Sequence, residues 1–278
     1  MAEQMTDFIN EIDPDMSWPD YLAFEGVNPS RLVHGLKSMK SFQSYAGSDK
    51  PDRGMIVGSA THLLIFEPDK FDDRYAIFDG RRSERTKAWQ MFTWKYPGKE
   101  AIKPDEYEQA SRTAEAVRSD PLAMDLIRST KTEVSLFCED FGLQCKGRVD
   151  GLGHILLDLK TTTNVEMRAF GRVFATLNYG VKLACYKRWA EKLGNPVSEV
   201  FVVAVETKGE FDVAVIPVPE IVLENAWSKA EQVLKRIPQC MADDHWPGVA
   251  EGRLYELCVP NWSMDEEDVL DWSGVNHE

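Results

Sequence analysis

Two acidic residues and a lysine in the middle of the chain have a spacing that suits metal and phosphate chemistry. Asp150 ends the run Gly147-Arg148-Val149-Asp150, and Asp158 and Lys160 lie in the next apolar run, Ile155-Leu156-Leu157-Asp158-Leu159-Lys160. Two adjacent strands joined by a tight turn would bring the acids together, and alternation along a strand places Asp158 and Lys160 on one face. Two carboxylates and an ammonium on one face can bind a hard divalent cation and a phosphate.

Each acid also has a simpler explanation. Asp150 precedes Gly151 and could be a turn former. Asp158 lies in an apolar run, where burial of an unpaired charge would be costly, so an ion pair with Lys160 is the structural alternative. We favour the metal site because the second acid arrives at the position that such a site needs.

Three further residues are candidates only in company with these. Glu133 lies in the strand-like run Thr132–Phe137, where an exposed glutamate is ordinary, but it could face Asp150 if the strands are adjacent. His62 and Tyr186 each lie in an apolar helical pattern, where core packing is the usual role.

Composition narrows the class of protein. The chain has 278 residues, 43% of them apolar, which is enough for a sizeable core. No apolar run reaches the roughly 20 residues of a membrane helix, and the N-terminus is acidic and unlike a signal peptide, so we expect a cytoplasmic protein that does not enter a membrane. The five cysteines form no Cys-x-x-Cys pair, which favours free, buried thiols over disulfides or an iron–sulfur cluster.

The charge is strongly negative overall but uneven. The formal net charge is −14, which argues against a protein that coats nucleic acid with its whole surface. The run 81–103 is basic and also holds Trp89, Phe92, Trp94 and Tyr96. It is either a solvated helix face or a wall that binds a nucleic-acid backbone, and in the second case Arg81, Arg82, Arg85 and Lys87 would contact the backbone.

The order of predicted elements indicates an α/β (α+β) domain with a central mixed sheet flanked by helices. Helices are expected from Pro29, with Leu32 to Phe42 at helical spacing, and over Met55–Phe66. The stretch 83–128 is expected to be mostly helical, with breaks near Pro97-Gly98 and Pro104. A three-strand meander follows, then two helices, two strands and a helix from about Pro219 to Ile237. Residues 1–28 are expected to be a loosely packed arm, 29–263 the domain and 264–278 an acidic tail.

The ordered motifs resemble the PD-(D/E)xK nuclease superfamily, in particular the RecE-type, exonuclease VIII-like branch of phage and prophage exonucleases. The resemblance covers about residues 30–190 and is weaker up to Pro260-Asn261-Trp262. The matching pieces are Leu36-Lys37, Gly58-Ser59-Ala60-Thr61-His62 with Phe66-Glu67-Pro68, Glu133-Val134-Ser135, Gly147-Arg148-Val149-Asp150, Asp158-Leu159-Lys160-Thr161-Thr162, and Tyr179-Gly180 to Tyr186. Asp-x-Lys alone is a weak signal, whereas the ordered set is specific.

The resemblance implies a restriction-endonuclease-like core and a role for each matching residue. Asp150, Asp158 and the Leu159 carbonyl would bind Mg²⁺ or Mn²⁺. His62 and Glu133 would lie at the metal or just outside it. The remaining implied site residues are Lys160 beside the attacking water, Tyr186 on the flanking helix, and Arg148 near the DNA.

The resemblance also implies a substrate and partners. The expected activity is 5′→3′ hydrolysis of linear double-stranded DNA from a free end, in recombination or DNA processing. A ring-shaped homo-oligomer and a single-strand annealing protein are the expected partners. One position departs from the branch: Lys182 stands where these proteins often have Gln. A lysine donates hydrogen bonds but cannot accept them, and it could still contact the DNA phosphate as a point charge.

Two alternatives stay open at this point. The chain could be a catalytically silent DNA-binding or assembly subunit, although Asp150, Asp158 and Lys160 are all present. It could also be an iron–sulfur repair nuclease of the same superfamily, which the cysteine spacing supports poorly.

Overall fold

The computed structural model describes residues 8–45, 52–254 and 257. The predicted acidic tail, the Pro260-Asn261-Trp262 sequence and Cys258 therefore lie outside the described residues. Within the described part, no helix is both long enough and apolar enough to cross a bilayer.

The first half of the chain is mostly helical, and its helices begin at residues that cap them. Asn28 accepts a hydrogen bond from the Arg31 amide at the start of one helix, and Asp52 accepts one from the Met55 amide at the start of another. The elements are β1 (Glu11–Asp13), α1 (Trp18–Ala23), α2 (Pro29–Lys37), α3 (Met39–Ser44), α4 (Arg53–Phe66), α5 (Phe71–Arg74), β2 (Tyr75–Ile77), α6 (Lys87–Lys95), β3 (Glu100–Ile102), α7 (Pro104–Ser119) and α8 (Pro121–Arg128).

The second half supplies most of a six-stranded sheet. Its elements are β4 (Lys131–Asp140), β5 (Leu143–Leu152), β6 (Ile155–Thr162), α9 (Met167–Thr176), α10 (Tyr179–Lys192), β7 (Glu199–Glu206), β8 (Val213–Pro217) and α11 (Glu220–Asp243). The strand order is β1-β4-β5-β6-β7-β8. Within the described part of this sheet, β6 and β7 pair in parallel, because α9 and α10 carry the chain across the sheet between them, and the other neighbouring strands are antiparallel. The sheet is therefore mixed, as predicted.

Apolar side chains cover both faces of this sheet. On one face, α2, α3, α10 and α11 form the larger core with strand residues such as Leu156, and Trp189 is its largest fully buried side chain. On the other face, α7 and α8 pack against Leu157 and Leu159 of β6. The alternation along β6 therefore places Asp158 on the same side as Leu156, toward α10.

The structure differs from the sequence-based expectation in one helical region and adds a short strand in another. Ser38 ends α2 and caps α3 through a hydrogen bond from the Ser41 amide, so one expected helix is two. The stretch 83–128 is mostly helical, as predicted, and its break lies between α6 and α7, where β3 pairs in parallel with β2 as a separate two-stranded sheet. Strands of three residues carry too little periodicity to be recognised in a sequence.

The N-terminal segment is packed, although a loosely packed arm was expected. In its described part, β1 adds an antiparallel edge strand to β4. Lys146 is a buried residue, only 7% exposed. Its ammonium donates hydrogen bonds to the carbonyls of Tyr21 (2.8 Å) and Phe24 (2.6 Å). It also lies 4.6 Å from the centre of the Tyr21 ring. A lysine of β5 thus fixes α1 beside the sheet.

We predict that Lys146→Met lowers the free energy of unfolding by about 1–3 kcal/mol, because two buried carbonyls lose a charged donor. It should also make residues 14–28 more sensitive to limited proteolysis. Urea unfolding and mass spectrometry of the fragments measure both effects. The control is Lys235→Met, an exposed lysine on α11, which should change stability by less than about 0.5 kcal/mol. Equal effects of the two substitutions would contradict the role of Lys146.

Candidate metal centre and nucleic-acid site

Three acidic residues lie in a row across three neighbouring strands. The β4–β5 register pairs Val134 with Val149 and Thr132 with Gly151, which sets Glu133 opposite Asp150. The β5–β6 register pairs Gly151 with Leu157, and its continuation by one residue sets Asp150 opposite Asp158. Side chains at opposite positions of adjacent strands are close neighbours, so the sheet itself gathers the carboxylates.

The backbone is irregular where this row crosses the sheet. Glu133 has a φ of 56°, a left-handed conformation that is uncommon for a residue with a side chain. The β5–β6 pairing stops at Gly151, and beyond it the Leu159 amide donates a 2.7 Å hydrogen bond to Oδ2 of Asp150. The Asp150 carboxylate therefore accepts a hydrogen bond from a β6 amide in place of a backbone carbonyl of β5, and this contact fixes the carboxylate between β5 and β6.

Helix α4 brings a histidine to the same point. Nδ1 of His62 lies 3.6 Å from Oδ2 of Asp150. One possible ligand atom each from His62, Glu133 and Asp150 falls within 4.8 Å of the other two. The small residue Gly58 allows this approach, because a Cβ there would be 3.1 Å from Oγ1 of Thr161 on β6. The sequence places His62 on an apolar helix, and the fold turns it toward the acids.

Asp158 and Lys160 form a buried ion pair beside this cluster. Apart from that ion pair, Oδ2 of Asp158 has no hydrogen-bond partner among the described residues. The Lys160 ammonium also donates to the Leu159 carbonyl at 3.3 Å and lies 5.2 Å from the centre of the Tyr179 ring. The pairing that was the structural alternative for Asp158 is thus present, and it stands next to the cluster of His62, Glu133 and Asp150.

Arg148 contacts Glu133 in the interior of the site. Its Nε donates to Oε2 of Glu133 at 2.8 Å, and Nη1 donates to the Met16 carbonyl and to Ser135 Oγ. The Arg148 side chain is only 8% exposed. The structure therefore pairs this arginine with Glu133, where it holds the carboxylate, and its contact with DNA stays a prediction.

Burial and charge shift the pKa of the acidic members of the cluster upward. Burial, followed by the neighbouring charge of Asp158, raises the pKa of Asp150 to about 7. Burial and the charge of Asp150 also raise the pKa of Glu133, against the opposing effect of Arg148. Carboxylates that repel each other in this way bind a cation readily, because its charge neutralises the repulsion.

The pKa values of the basic residues at the site shift in both directions. Burial and then the Lys160 cation lower the pKa of His62, which keeps its imidazole neutral and able to bind a metal. Burial opposes the charge of Lys160, but Asp158 and Asp150 outweigh it and raise the pKa of this lysine. Burial and then Lys160 lower the pKa of Lys182, which α10 places near the same acids.

Tyr186 packs closely against β5. A Cβ at Gly147 would lie 2.8 Å from Cε1 of the Tyr186 ring, so the absence of a side chain at Gly147 lets the ring approach. Burial raises the pKa of Tyr186 well above its ordinary value, so the phenol stays protonated. The predicted site residues on α4, β4, β5, β6 and α10 are thus brought together.

A cavity of about 880 Å³ opens beside the cluster. Glu133, Asp150 and His62 line this cavity, and Trp18 and Arg74 are also among its lining residues. Trp18 and Arg74 lie in none of the recognised motifs, and Tyr179 lies in one without an assigned role. Ser17-x-x-Asp20, a helix-capping pattern, was the available signal for α1 at Trp18.

The basic run 81–103 touches this cavity only through Gly98 and Glu100. Arg81, Arg85 and Lys87 are exposed outside the cavity. Arg82 is ion-paired with the buried Glu106 of α7. The structure therefore leaves three of the four predicted backbone-binding cations exposed and engages the fourth in the fold.

The comparisons with known proteins agree with this geometry. Residues 35–257 match the family model for a PDDEXK-like domain of unknown function (DUF3799). The chain belongs to this family. The match covers the row of acids, His62 and the α10 residues, and it supports a nuclease. No curated protein shows significant similarity to the sequence.

Two solved structures resemble the chain. A candidate exonuclease from Eubacterium rectale aligns with a TM-score of 0.60 at 14% identity, over 94% of this chain and 98% of that one. A protein designated SSO0001 aligns over 77% of this chain and 89% of that one at 11% identity, with a TM-score of 0.28. The first similarity establishes the fold, which is the PD-(D/E)xK fold predicted from the motifs.

The residues present fit a hard divalent cation. The donors are carboxylate oxygens and one imidazole, a set that Mg²⁺ and Mn²⁺ accept. Oδ2 of Asp158, which contacts the Lys160 ammonium, is a further oxygen that could bind the cation. No cysteine belongs to such a cluster among the described residues, and Cys138, Cys145, Cys185 and Cys240 are free and buried, as predicted.

We predict a pH-dependent loss of stability in the metal-free protein. The pKa of Asp150 is higher in the folded protein than in the unfolded chain, so its stabilising contribution is full at acid pH and is lost as the pH rises through about 7. In EDTA, the wild type should lose about 2 kcal/mol more than Asp150→Asn between pH 5.5 and pH 8. Urea titrations at both pH values measure this difference. Glu224→Gln, an exposed acid on α11, should behave as the wild type, and a parallel loss in Asp150→Asn would contradict the assignment.

Proposed function

We propose that the protein is a Mg²⁺-dependent deoxyribonuclease that degrades linear double-stranded DNA from a free end. The observation that carries the proposal is the cluster of His62, Glu133 and Asp150 beside the Asp158–Lys160 pair, in a chain of the PDDEXK-like family. Mn²⁺ would serve as an alternative cation. The branch is the RecE-type one that the motifs resemble.

The proposed metal ligands are Asp150, Glu133 and His62, with Asp158 and the Leu159 carbonyl completing the set. A divalent cation held there would lower the pKa of a bound water and neutralise charge on the phosphoryl oxygens. Asp150 is fixed by the Leu159 amide and Glu133 by Arg148, so the two carboxylates are held in place before the substrate binds.

Lys160 has a role that follows from its charge. Because Asp158 and Asp150 raise its pKa, the ammonium keeps its proton near neutral pH. It is therefore suited to orient the attacking water and to stabilise negative charge on the phosphoryl oxygens. Lys182, whose pKa is lowered, would contact the phosphate as a second cation from α10.

The finer parts of the proposal rest on the resemblance. They are 5′→3′ polarity, action in phage-type recombination or DNA processing, a ring-shaped homo-oligomer, cooperation with a single-strand annealing protein, and a cytoplasmic location. The overall charge of −14 suits an assembly whose acidic outside repels DNA and whose basic surfaces face the duplex.

We predict Mg²⁺-dependent loss of linear duplex DNA that closed circles resist. Asp158→Ala, Asp150→Asn and Lys160→Met should each reduce the rate by at least about 10³-fold, because each removes charge from the reacting phosphate or its metal. Gel assays of end-labelled linear and closed circular DNA, with Mg²⁺ or EDTA, measure the rates. Glu224→Gln is the matched control and should keep full activity.

The outcomes separate the alternatives. Equal cutting of closed circles would overturn the exonuclease proposal but keep the nuclease. A folded wild type that binds DNA without degrading it under any of these conditions would identify a silent DNA-binding subunit. Activity that survives in Asp158→Ala and Asp150→Asn would overturn the assigned site.

We also predict that exposed cations of the run 81–103 bind the DNA backbone. Arg85→Gln and Lys87→Gln together should reduce the slope of log K against log salt by about 2, because two phosphate contacts are lost. Binding of labelled duplex by Asp158→Ala protein, measured from low to moderate salt, gives the slope. Arg128→Gln on α8, another exposed arginine, is the control. An unchanged slope in the double variant would contradict a backbone-binding role for this run.

A further inference from the structure

Trp18 is an aromatic side chain that the fold presents to the cavity. It begins α1, where the Asp20 amide donates to Ser17 Oγ and Pro19 stands in the first turn. The Trp18 residue is 40% exposed and lines the cavity that holds His62 and Asp150. A large ring left open toward a cavity is available to contact a ligand.

The ring is backed by a layered arrangement that fixes its position. The Tyr21 ring stacks on Trp18 with centroids 5.6 Å apart and an interplanar angle of 22°. Lys146 belongs to β5 of the central sheet, and its ammonium lies 4.6 Å from the centre of the Tyr21 ring. Tyr21 itself is buried, so the packing of α1 on the sheet does not require the exposed part of Trp18. A ring held in this way loses little conformational entropy when it stacks on a ligand.

Arg148 connects this ring to the proposed metal ligands. Its Cζ lies 5.8 Å from the centre of the Trp18 ring, and its Nε contacts Glu133 at 2.8 Å. Only one side chain therefore separates the indole from the acidic cluster. A phosphate at the cluster has its neighbouring nucleobases within reach of Trp18.

A second cation stands on the cavity wall next to the indole. Cζ of Arg74 lies 6.0 Å from the centre of the Trp18 ring, and Arg74 also lines the cavity. A ring beside cations is the combination that binds the bases and phosphates of a single strand. A binding site for an acidic or an apolar peptide would not require an aromatic ring with arginines beside a cluster of carboxylates, so we favour a nucleic-acid strand as the ligand.

We infer that Trp18 is a positioning residue that stacks on a nucleobase of the strand being cut. This inference rests on the proposed function and adds a substrate class to it. A base can stack on Trp18 only after it has left the duplex stack, so the site takes frayed or unpaired nucleotides next to the scissile phosphate. The stack would orient the strand so that the phosphate meets the acidic cluster.

The test is a cycle that removes either the base or the ring. Short labelled duplexes carry an abasic analogue at the first, second or third nucleotide from either end of the labelled strand. Rates with Mg²⁺ are measured for the wild type, Trp18→Leu and Trp18→Phe. Leu keeps apolar bulk against Tyr21 without a ring, and Phe keeps a ring. Ile221→Ala, a 70% exposed side chain on α11 outside the cavity lining, is the control, and circular dichroism verifies that each variant is folded.

For one abasic position, kcat/KM of the wild type should fall about tenfold relative to the intact duplex. Trp18→Phe should keep most of this dependence, Trp18→Leu should lose it, and Ile221→Ala should match the wild type. The inference is overturned if the wild type shows no dependence at any position, or if Trp18→Leu shows the same dependence. A wild type that degrades no linear DNA would instead overturn the proposed function, which separates the two failures.

Discussion

The structure depends on the burial of negative charge in one place. Glu133, Asp150 and Asp158 lie on neighbouring strands, and burial makes their mutual repulsion costly. The fold compensates with two cations, Arg148 at Glu133 and Lys160 at Asp158. Among the described residues, Asp150 has no ion pair with a lysine or an arginine. The Leu159 amide and His62 contact it, and the charges of Lys160 and Lys182 do not offset the burial that raises its pKa. The middle acid is therefore the one that a bound divalent cation would stabilise most.

The remaining elements serve to hold this arrangement. Helix α4 can bring His62 close because Gly58 leaves room against β6, and α10 can bring Tyr186 close because Gly147 leaves room on β5. Arg148 also reaches across to the Met16 carbonyl, so the N-terminal segment is tied to the same charge network. A change in that segment would consequently alter the position of Arg148 and of the Glu133 carboxylate, and not only the edge of the sheet.

The burial of Lys146 gives the same segment a second role. It carries no carboxylate partner among the contacts of its ammonium, which are backbone carbonyls of α1 and the loop after it, together with the Tyr21 ring. A buried lysine whose ammonium donates to backbone carbonyls can contribute by ordering the segment that supplies those carbonyls. Here the ordered segment supplies one wall of the cavity, including Trp18.

The sequence by itself indicated the acids and the lysine of the candidate site, and it determined the central sheet. Asp150, Asp158 and Lys160 were recognisable because strand alternation relates residues two apart, and the strands were recognisable from continuous apolar runs. His62, Glu133 and Tyr186 were found only through an ordered set of motifs, since each alone resembles an ordinary core or surface residue. The short strands β2 and β3 and the break at Ser38 left no periodic signal.

Only the tertiary structure decided which side chains meet. It paired Asp158 with Lys160, Arg148 with Glu133 and Arg82 with Glu106, and it placed Trp18 at the cavity. These contacts join residues that are far apart in the chain, such as Met16 and Arg148. Local patterns report the face on which a residue lies, whereas the partner on that face depends on how distant elements pack.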